Sequence, residues 1–331
     1  MKKNNGTLSS RKVNTQSIVV AAVAIALAVF FSLVSPSFRK WPTIVTLFDS
    51  FYYFMFMAIG VTFCLISGGN DLSIGTGTVC YALIGGFCIA NGAPTWLGML
   101  VCIVLGLIIG CLNGFLVAVM NLPAFIATLC TMLITRGLGS VVAGGSITWP
   151  SRSVPAGWFR SIFKIFVKNA AGKKVPIPVG LILVAVAIIV MTIVLKKTLT
   201  GRYITAIGSN KEAARLSGVN VVKYQAMAYV ISGLCAGIAS IAYVSATSSS
   251  ITPGAGGGLE LDAIGGAIIG GTSMNGGTGS IFGTFLGVII LTLLKNGLPK
   301  IGLNAEWQSI ITGAILIGAI WLDVIRNRKK V

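Results

Sequence analysis

The sequence predicts an all-α polytopic membrane protein with about ten transmembrane helices, some broken or shortened at glycine-rich motifs. Composition is the first reason: 55% of residues are hydrophobic, 10% are charged and the mean hydropathy is +0.92. A soluble domain carries roughly 25% charged residues, and this chain has too little polar surface to cover itself in water. The second reason is a succession of apolar runs, each long enough to cross a hydrocarbon core of roughly 30 Å. The third is a pair of matching glycine motifs that interrupt those runs, Ile66 to Gly77 and Ile268 to Gly279. Irregular backbone at membrane depth is tolerated only where protein or a water-filled cavity covers it.

Taken in order, the spans are expected near 17–35, 44–66, 73–91, 95–119, 124–143, 178–195, 225–246, 262–274, 279–296 and 307–325. The first follows Lys2, Lys3, Arg11 and Lys12 and resembles a signal sequence. Its length and the lack of an A-x-A site favour an uncleaved span. The eighth is short for a crossing and reads as a half-helix or re-entrant segment. Residues 1–16 form an expected cytoplasmic tail, 17–325 the transmembrane domain and 326–331 a basic cytoplasmic tail. Ten crossings return the carboxyl terminus, with Arg326, Arg328, Lys329 and Lys330, to the side of the amino terminus, as the positive-inside rule asks. The two long connections, 144–177 outside and 196–224 inside, each carry six basic residues and so do not choose an orientation. The net charge of +18 fits this topology rather than nucleic-acid binding.

Glycine, 42 of 331 residues, suits close helix packing. The spacings Gly106/Gly110/Gly114 and Gly279/Gly283/Gly287 read as packing faces. The seven cysteines all fall in apolar segments and read as small buried hydrophobes. With no histidine, a metal site of the usual ligand type has no support.

In the first glycine motif, Asn70, Asp71 and Ser73 offer donors and acceptors suited to hydroxyl groups. Asp71 also has the position of a cap for the helix starting at Leu72, and the two roles are compatible. Thr62 and Phe125 join these three as expected substrate-path residues. The glycines Gly68, Gly69, Gly75, Gly270, Gly271, Gly276 and Gly277 are expected helix breaks or hinges. The second motif, nearly devoid of charge, reads as a hinge or packing element. Glu260 and Asp262 stand where helix-start anions belong. Arg136, inside the fifth span, needs a partner or a route to the interface.

Within 196–224, Ser209-Asn210-Lys211-Glu212 has the capping-box pattern, with Ser209 accepting from the Glu212 amide and Glu212 reaching back. Gly218 supplies the stop. The short helix between them, through Ala213, Ala214, Arg215 and Leu216, is marginal alone. It needs something to lie against, this protein's own membrane face or a partner.

No G-x-x-x-x-G-K-[ST] phosphate loop occurs, and seven acids without a histidine leave few hydrolytic candidates. No acid falls at the middle of an expected span, which counts against ion-coupled transport. These exclusions leave a pathway for a hydrophilic solute, either as one part of a larger transporter or as a stand-alone facilitator or channel.

These residues carry a family resemblance. Gly60-Val61-Thr62-Phe63 with Gly68-Gly69-Asn70-Asp71-Leu72-Ser73-Ile74-Gly75 resembles the G-x-T-F…G-G-x-D-L-S-x-G signature of bacterial ABC importer permeases for monosaccharides. Pro123 to Leu129 with Arg136-Gly137 resembles the P-x-F-I-x-T-L…R-G segment of that family. Gly201-Arg202-Tyr203 with Ala206 to Gly218 resembles its cytoplasmic loop, and Glu260 to Ser273 its second signature. Trp307-Gln308 and Asp323 also fit. The resemblance runs from about residue 43 to 325. It implies a type II-like permease fold, a separate ABC ATPase that uses ATP and Mg, and an extracytoplasmic sugar-binding protein. A second permease chain, identical or sister, is implied too. Ser209, Asn210, Glu212, Ala213, Ala214, Arg215 and Gly218 become the ATPase-coupling helix. No cofactor bound by this chain, no metal and no nucleic acid is expected. The location is the bacterial inner membrane, with both termini cytoplasmic and lipid around the spans.

Overall fold

The structure, a computed structural model, describes residues 7–170, 172–246 and 250–328. The basic side chains expected at both termini, and that of Asp323, lie outside the described residues. The helices are α1 (Thr7–Val34), α2 (Trp41–Ile66), α3 (Ser73–Ala90), α4 (Thr95–Gly114), α5 (Ala124–Ala143) and α6 (Gly180–Lys197). They continue with α7 (Leu199–Ser209), α8 (Lys211–Leu216), α9 (Val221–Ala246), α10 (Leu259–Ile269), α11 (Ile281–Gly297) and α12 (Ala305–Arg328). Ten of these fall on the ten expected spans, and α7 and α8 lie in the 196–224 connection. Among the described residues, eight helices are long and apolar enough to cross a membrane, and the protein is a multi-pass membrane protein. The 11 residues of α10 rise only about 16 Å, so the expected half-helix is present.

Helix α9 is the axis of the bundle, packed against α2, α3 and α4. Small residues set the approach. A Cβ on Gly110 would lie 2.6 Å from the Tyr229 carbonyl oxygen, and one on Gly114 2.9 Å from that of Ala226. Gly106 abuts the backbone of Gly233 and Gly237 in the same seam. On α11, Gly283 and Gly287 meet the backbone of Gly270 and Gly266. Both Gly-x-x-x-Gly spacings therefore pack helices, as read from the sequence. Four cysteines are buried, but Cys111 and Cys130 are exposed on the outer surface of α4 and α5. The expectation that all seven thiols are buried is corrected there, because apolar sequence at a membrane-facing position marks surface as readily as core.

Contacts sort the connections into two ends. At one end gather the last turn of α2, the helices α7 and α8, the start of α9 and the turn between α10 and α11. The opposite end is covered by residues 144–177, which form a 3-10 segment (Pro155–Ile162) and an antiparallel hairpin of β1 (Ile165–Lys168) and β2 (Lys174–Ile177). Trp149 Nε1 donates to the Ala82 carbonyl at 2.8 Å, and Trp41 Nε1 to that of Pro176 at 2.8 Å. Ile147 and Ile251 exchange backbone hydrogen bonds of 3.0 and 2.8 Å. From Ile251 the chain dips back, and Gly256 packs against Gly75, Thr76 and Val79 in the first turns of α3. Helix α10 thus begins inside the bundle rather than at its edge.

Candidate functional site

The two glycine motifs, far apart in sequence, meet in space. Gly68 (φ +83°) ends α2, and Gly276 (φ +84°) and Gly277 (φ +72°) lie in the turn after α10. Such positive φ values are open to glycine and strained for other residues. The Gly277 amide donates to the Ile66 carbonyl at 2.9 Å, tying one break to the other. Gly208, in the last turn of α7, completes the junction. A Cβ on Gly276 would be 3.0 Å from the Cα atoms of both Gly208 and Gly68. Gly208 itself is pressed against the Ile66 carbonyl, and a Cβ there would lie 2.6 Å from the Gly277 nitrogen. Both interruptions of the membrane helices therefore rest on the residue three places before α8. The hinge glycines otherwise divide. Gly69 leaves room for the Tyr229 hydroxyl, Gly75 for Glu260, Gly270 for α11, and Gly271 takes φ +95° in the turn.

Helix α8 differs from the expected capping box. Asn210, not Ser209, is the cap: its Oδ1 accepts from the Ala213 amide at 2.9 Å, and its φ of −160° breaks the helical run. Ser209 is still inside α7, where its hydroxyl donates to the Thr205 carbonyl at 3.0 Å. Glu212 does not reach back but accepts from Arg215 at 2.6 Å on the exposed surface. Gly218 (φ +81°) ends the helix as expected. Only Ala214 is buried, against Ile207 and Val221, while Leu216 is 80% exposed. Ala213 faces outward with Lys211 and Arg215.

The expected substrate-path residues separate by burial. Asp71 is 2% exposed. Its Oδ1 accepts from the Ser73 amide at 3.0 Å and the Ser73 hydroxyl at 2.6 Å, and its Oδ2 accepts from the Ser232 hydroxyl at 2.6 Å. Asn113 Nδ2 donates to Ser73 Oγ at 2.9 Å, and Thr131 Oγ1 donates to Asn113 Oδ1 at 2.7 Å. This network pins the start of α3 to α4, α5 and α9. Buried polar groups tied in this way specify packing, and the cap reading of Asp71 fits it. Thr62 is fully buried, 2.8 Å from the Thr284 hydroxyl across the α2–α11 contact. Asn70 is half-buried, with its Oδ1 accepting the Asp71 amide at 2.9 Å, and Phe125 is exposed. The structure thus gathers Asp71 and Ser73 into one cluster, whereas Thr62 sits in a separate helix contact. Asn113 and Ser232 were missed from sequence; their one signal is a polar side chain in a long apolar span.

Charges inside the bundle are few. Asp262 pairs with Lys295 of α11, and Glu260 Oε1 accepts the Gly258 amide at 3.0 Å in the first turn of α10. Both sit where helix-start anions were expected. At the hairpin end, Lys164 pairs with Asp49. Arg160, 4% exposed, donates to the carbonyls of Pro150 at 2.9 Å and Val244 at 3.0 Å, closing the end of α9. Burial pushes the Arg152 and Arg160 pKa values down, with the Arg152 charge adding to the effect at Arg160. Among the described residues no three metal-ligating side chains cluster.

A bundle with paired helix breaks, a polar network inside it and a short helix held out at one end is a polytopic transport permease. Residues 43–320 match the family described as branched-chain amino acid transport system permease component, and the chain belongs to that family. It is 34% identical to the ribose import permease protein RbsC of Escherichia coli K12, over 98% of this chain and 99% of the relative. The RbsC of Bacillus subtilis is also 34% identical, over 92% and 90%. The xylose transport system permease protein XylH of Haemophilus influenzae is 31% identical, over 97% and 99%. No solved structure matches. The chain is accordingly a non-catalytic permease component of an import system.

Proposed function

We propose that this chain is the membrane-spanning permease of an ATP-driven importer for a monosaccharide, in a bacterial inner membrane. An extracytoplasmic binding protein hands over the sugar, and a separate ABC ATPase consumes ATP and Mg. A second permease chain completes the path. The sugar assignment rests on the relatives named for ribose and xylose import.

The observation that carries the reading is α8. Six capped residues, seated by Ala214 and exposing Leu216, stand outside the bundle directly after the junction of both helix breaks. An exposed leucine beside lysine and arginine is suited to a groove on a partner. A displacement of α8 passes through Gly208 to the ends of α2 and α10 together. That is the connection an ATPase needs in order to open and close a path it does not itself line.

The α8 end is cytoplasmic in this reading, with Lys196, Lys197, Arg202, Lys211, Arg215 and Lys223 near it. It also receives the carboxyl-terminal end of α12 and the amino-terminal end of α1, since α1 meets α11 and the 298–301 turn at its far end. At the other end Trp41, Trp96, Trp158 and Trp307 are exposed, as an aromatic belt requires. There the cross-strand pair Lys168 and Lys174, with Lys173, forms a cationic surface for an acidic face of the binding protein.

The test is to replace Asn210 by alanine and Gly218 by valine. ATPase co-purification is expected to fall while membrane insertion persists. Unchanged association in both variants rejects α8 as the coupling element.

A further inference from the structure

The hairpin of β1 and β2 has two unlike faces. Side chains alternate across a strand, and directly opposite residues share a side. The register pairs Ile165 with Ile177, Phe166 with Pro176, Val167 with Val175 and Lys168 with Lys174. One face therefore carries Ile165, Val167, Val175 and Ile177, all β-branched and uncharged, and the other carries Phe166, Pro176 and both lysines. The Arg152 guanidinium lies 5.0 Å from the Phe166 ring centroid and covers the base of the second face. The β-branched face is turned outward, with Ile165, Val167 and Ile177 37%, 46% and 37% exposed. A lone two-stranded hairpin is marginal at best in water, so an apolar face left open on one calls for a partner.

Three observations place that face. The hairpin base is seated on the bundle: the Gly180 amide donates to the Phe163 carbonyl at 2.8 Å, and Gly180 packs against the rings of Phe163 and Tyr52. Trp41 opens α2, is exposed, and bonds the Pro176 carbonyl through Nε1. A tryptophan at the end of a spanning helix sits at headgroup level, and the strand bonded to it shares that level. Beyond Ile177 the chain enters α6 directly, where Ile182, Val186, Ile189 and Ile193 form an exposed apolar stripe on a spanning helix. We infer that the face of Ile165, Val167, Val175 and Ile177 lies in the bilayer interface, with phospholipid as its partner. Specific protein interfaces carry about one hydrogen bond per 100–200 Å², and these four alkyl side chains supply none. Residues 144–177 contain no acid that lipid phosphates would repel. Seated in this way, the hairpin turns Lys168 and Lys174 away from the membrane. The inference goes beyond the importer reading and stands without it.

The experiment uses the full chain in nanodiscs of phosphatidylethanolamine and phosphatidylglycerol. Val167→Cys and Lys168→Cys are each made with Cys111→Ser and Cys130→Ser and labelled with bimane, and the signal of the background without the added cysteine is subtracted. At Val167, quenching by a phospholipid with a nitroxide high on its acyl chain is expected to exceed quenching by aqueous iodide severalfold. At Lys168 the order is expected to reverse. Iodide quenching that dominates at both positions puts the hairpin in water and overturns the inference. Shielding of Val167 from both quenchers assigns the face to a second copy of this chain, and shielding that appears only with added binding protein assigns it to that partner; either result overturns the inference. In the unmodified chain, a phospholipid with a photoactivatable acyl chain is expected to label residues 165–177 as well as α6. Labelling of α6 without the hairpin would contradict it independently of the cysteine variants.

Discussion

Replacing Gly208 by alanine puts one methyl group into the junction of the two helix breaks. The new Cβ would press on the Ile66 carbonyl and stand 2.6 Å from the Gly277 nitrogen, where ordinary contact begins at 3.4 Å. The end of α7 must therefore retreat by well over 0.8 Å, or the Gly277 to Ile66 hydrogen bond, 2.9 Å long, must break. Leaving a buried donor or acceptor unsatisfied costs about 1–3 kcal/mol. A coupling energy of that size corresponds to roughly 5- to 150-fold. The number of sugars moved per ATP hydrolysed is expected to fall by about tenfold. ATPase association, which the proposed function assigns to α8 itself, should remain. The assay is paired measurement of uptake and phosphate release in proteoliposomes. In the wild-type assembly, hydrogen exchange of the peptide holding Gly277 should change between nucleotide-free and ATP-bound ATPase. An unaltered uptake-to-hydrolysis ratio in the variant, together with constant exchange in the wild type, would refute the reasoning.

Three further outcomes follow from the packing. Asp71→Asn turns an amide N–H₂ toward the donors of Ser73 or Ser232, and should cost about 1–3 kcal/mol, read as lower thermal stability in detergent. Gly233→Leu wedges α9 away from α4, because Gly233 already meets the Gly110 Cα, with a Cβ there placed 2.7 Å away; folded protein should be nearly absent from the membrane fraction by fluorescence size-exclusion chromatography. Asp49→Ala leaves Lys164 and the neighbouring Arg152 without their anion. Breaking a buried pair costs about 3–5 kcal/mol, and the lower end is expected because both side chains retain some exposure. Faster proteolysis within 144–177 would report it.

The spans were legible because the bilayer demands long apolar runs with satisfied backbone, and α5 begins and ends where hydropathy places it. The half-helix α10 was legible for the same reason, since its apolar run is too short to cross. The cap of α8 was misplaced by one residue. Ser209 and Asn210 are both good caps, and only tertiary packing of α7 keeps Ser209 helical. Asn113 and Ser232 are polar residues within apolar helices, and nothing local tells that both converge on the Asp71 and Ser73 pair. The glycine repeats were visible as breaks, yet their meeting at Gly208 is a long-range contact that no periodicity encodes. The inward turn of Asp71 was hidden likewise, because a polar motif near a helix break serves packing and solute contact with the same residues.

The most direct test of the account is sugar uptake by the purified chain in proteoliposomes, with and without its ATPase, binding protein and enclosed ATP. Accumulation of ribose, xylose or fructose above the outside concentration is expected only when all three are present. Equilibration of sugar by the permease alone, unaffected by ATP, would contradict it and identify a facilitator.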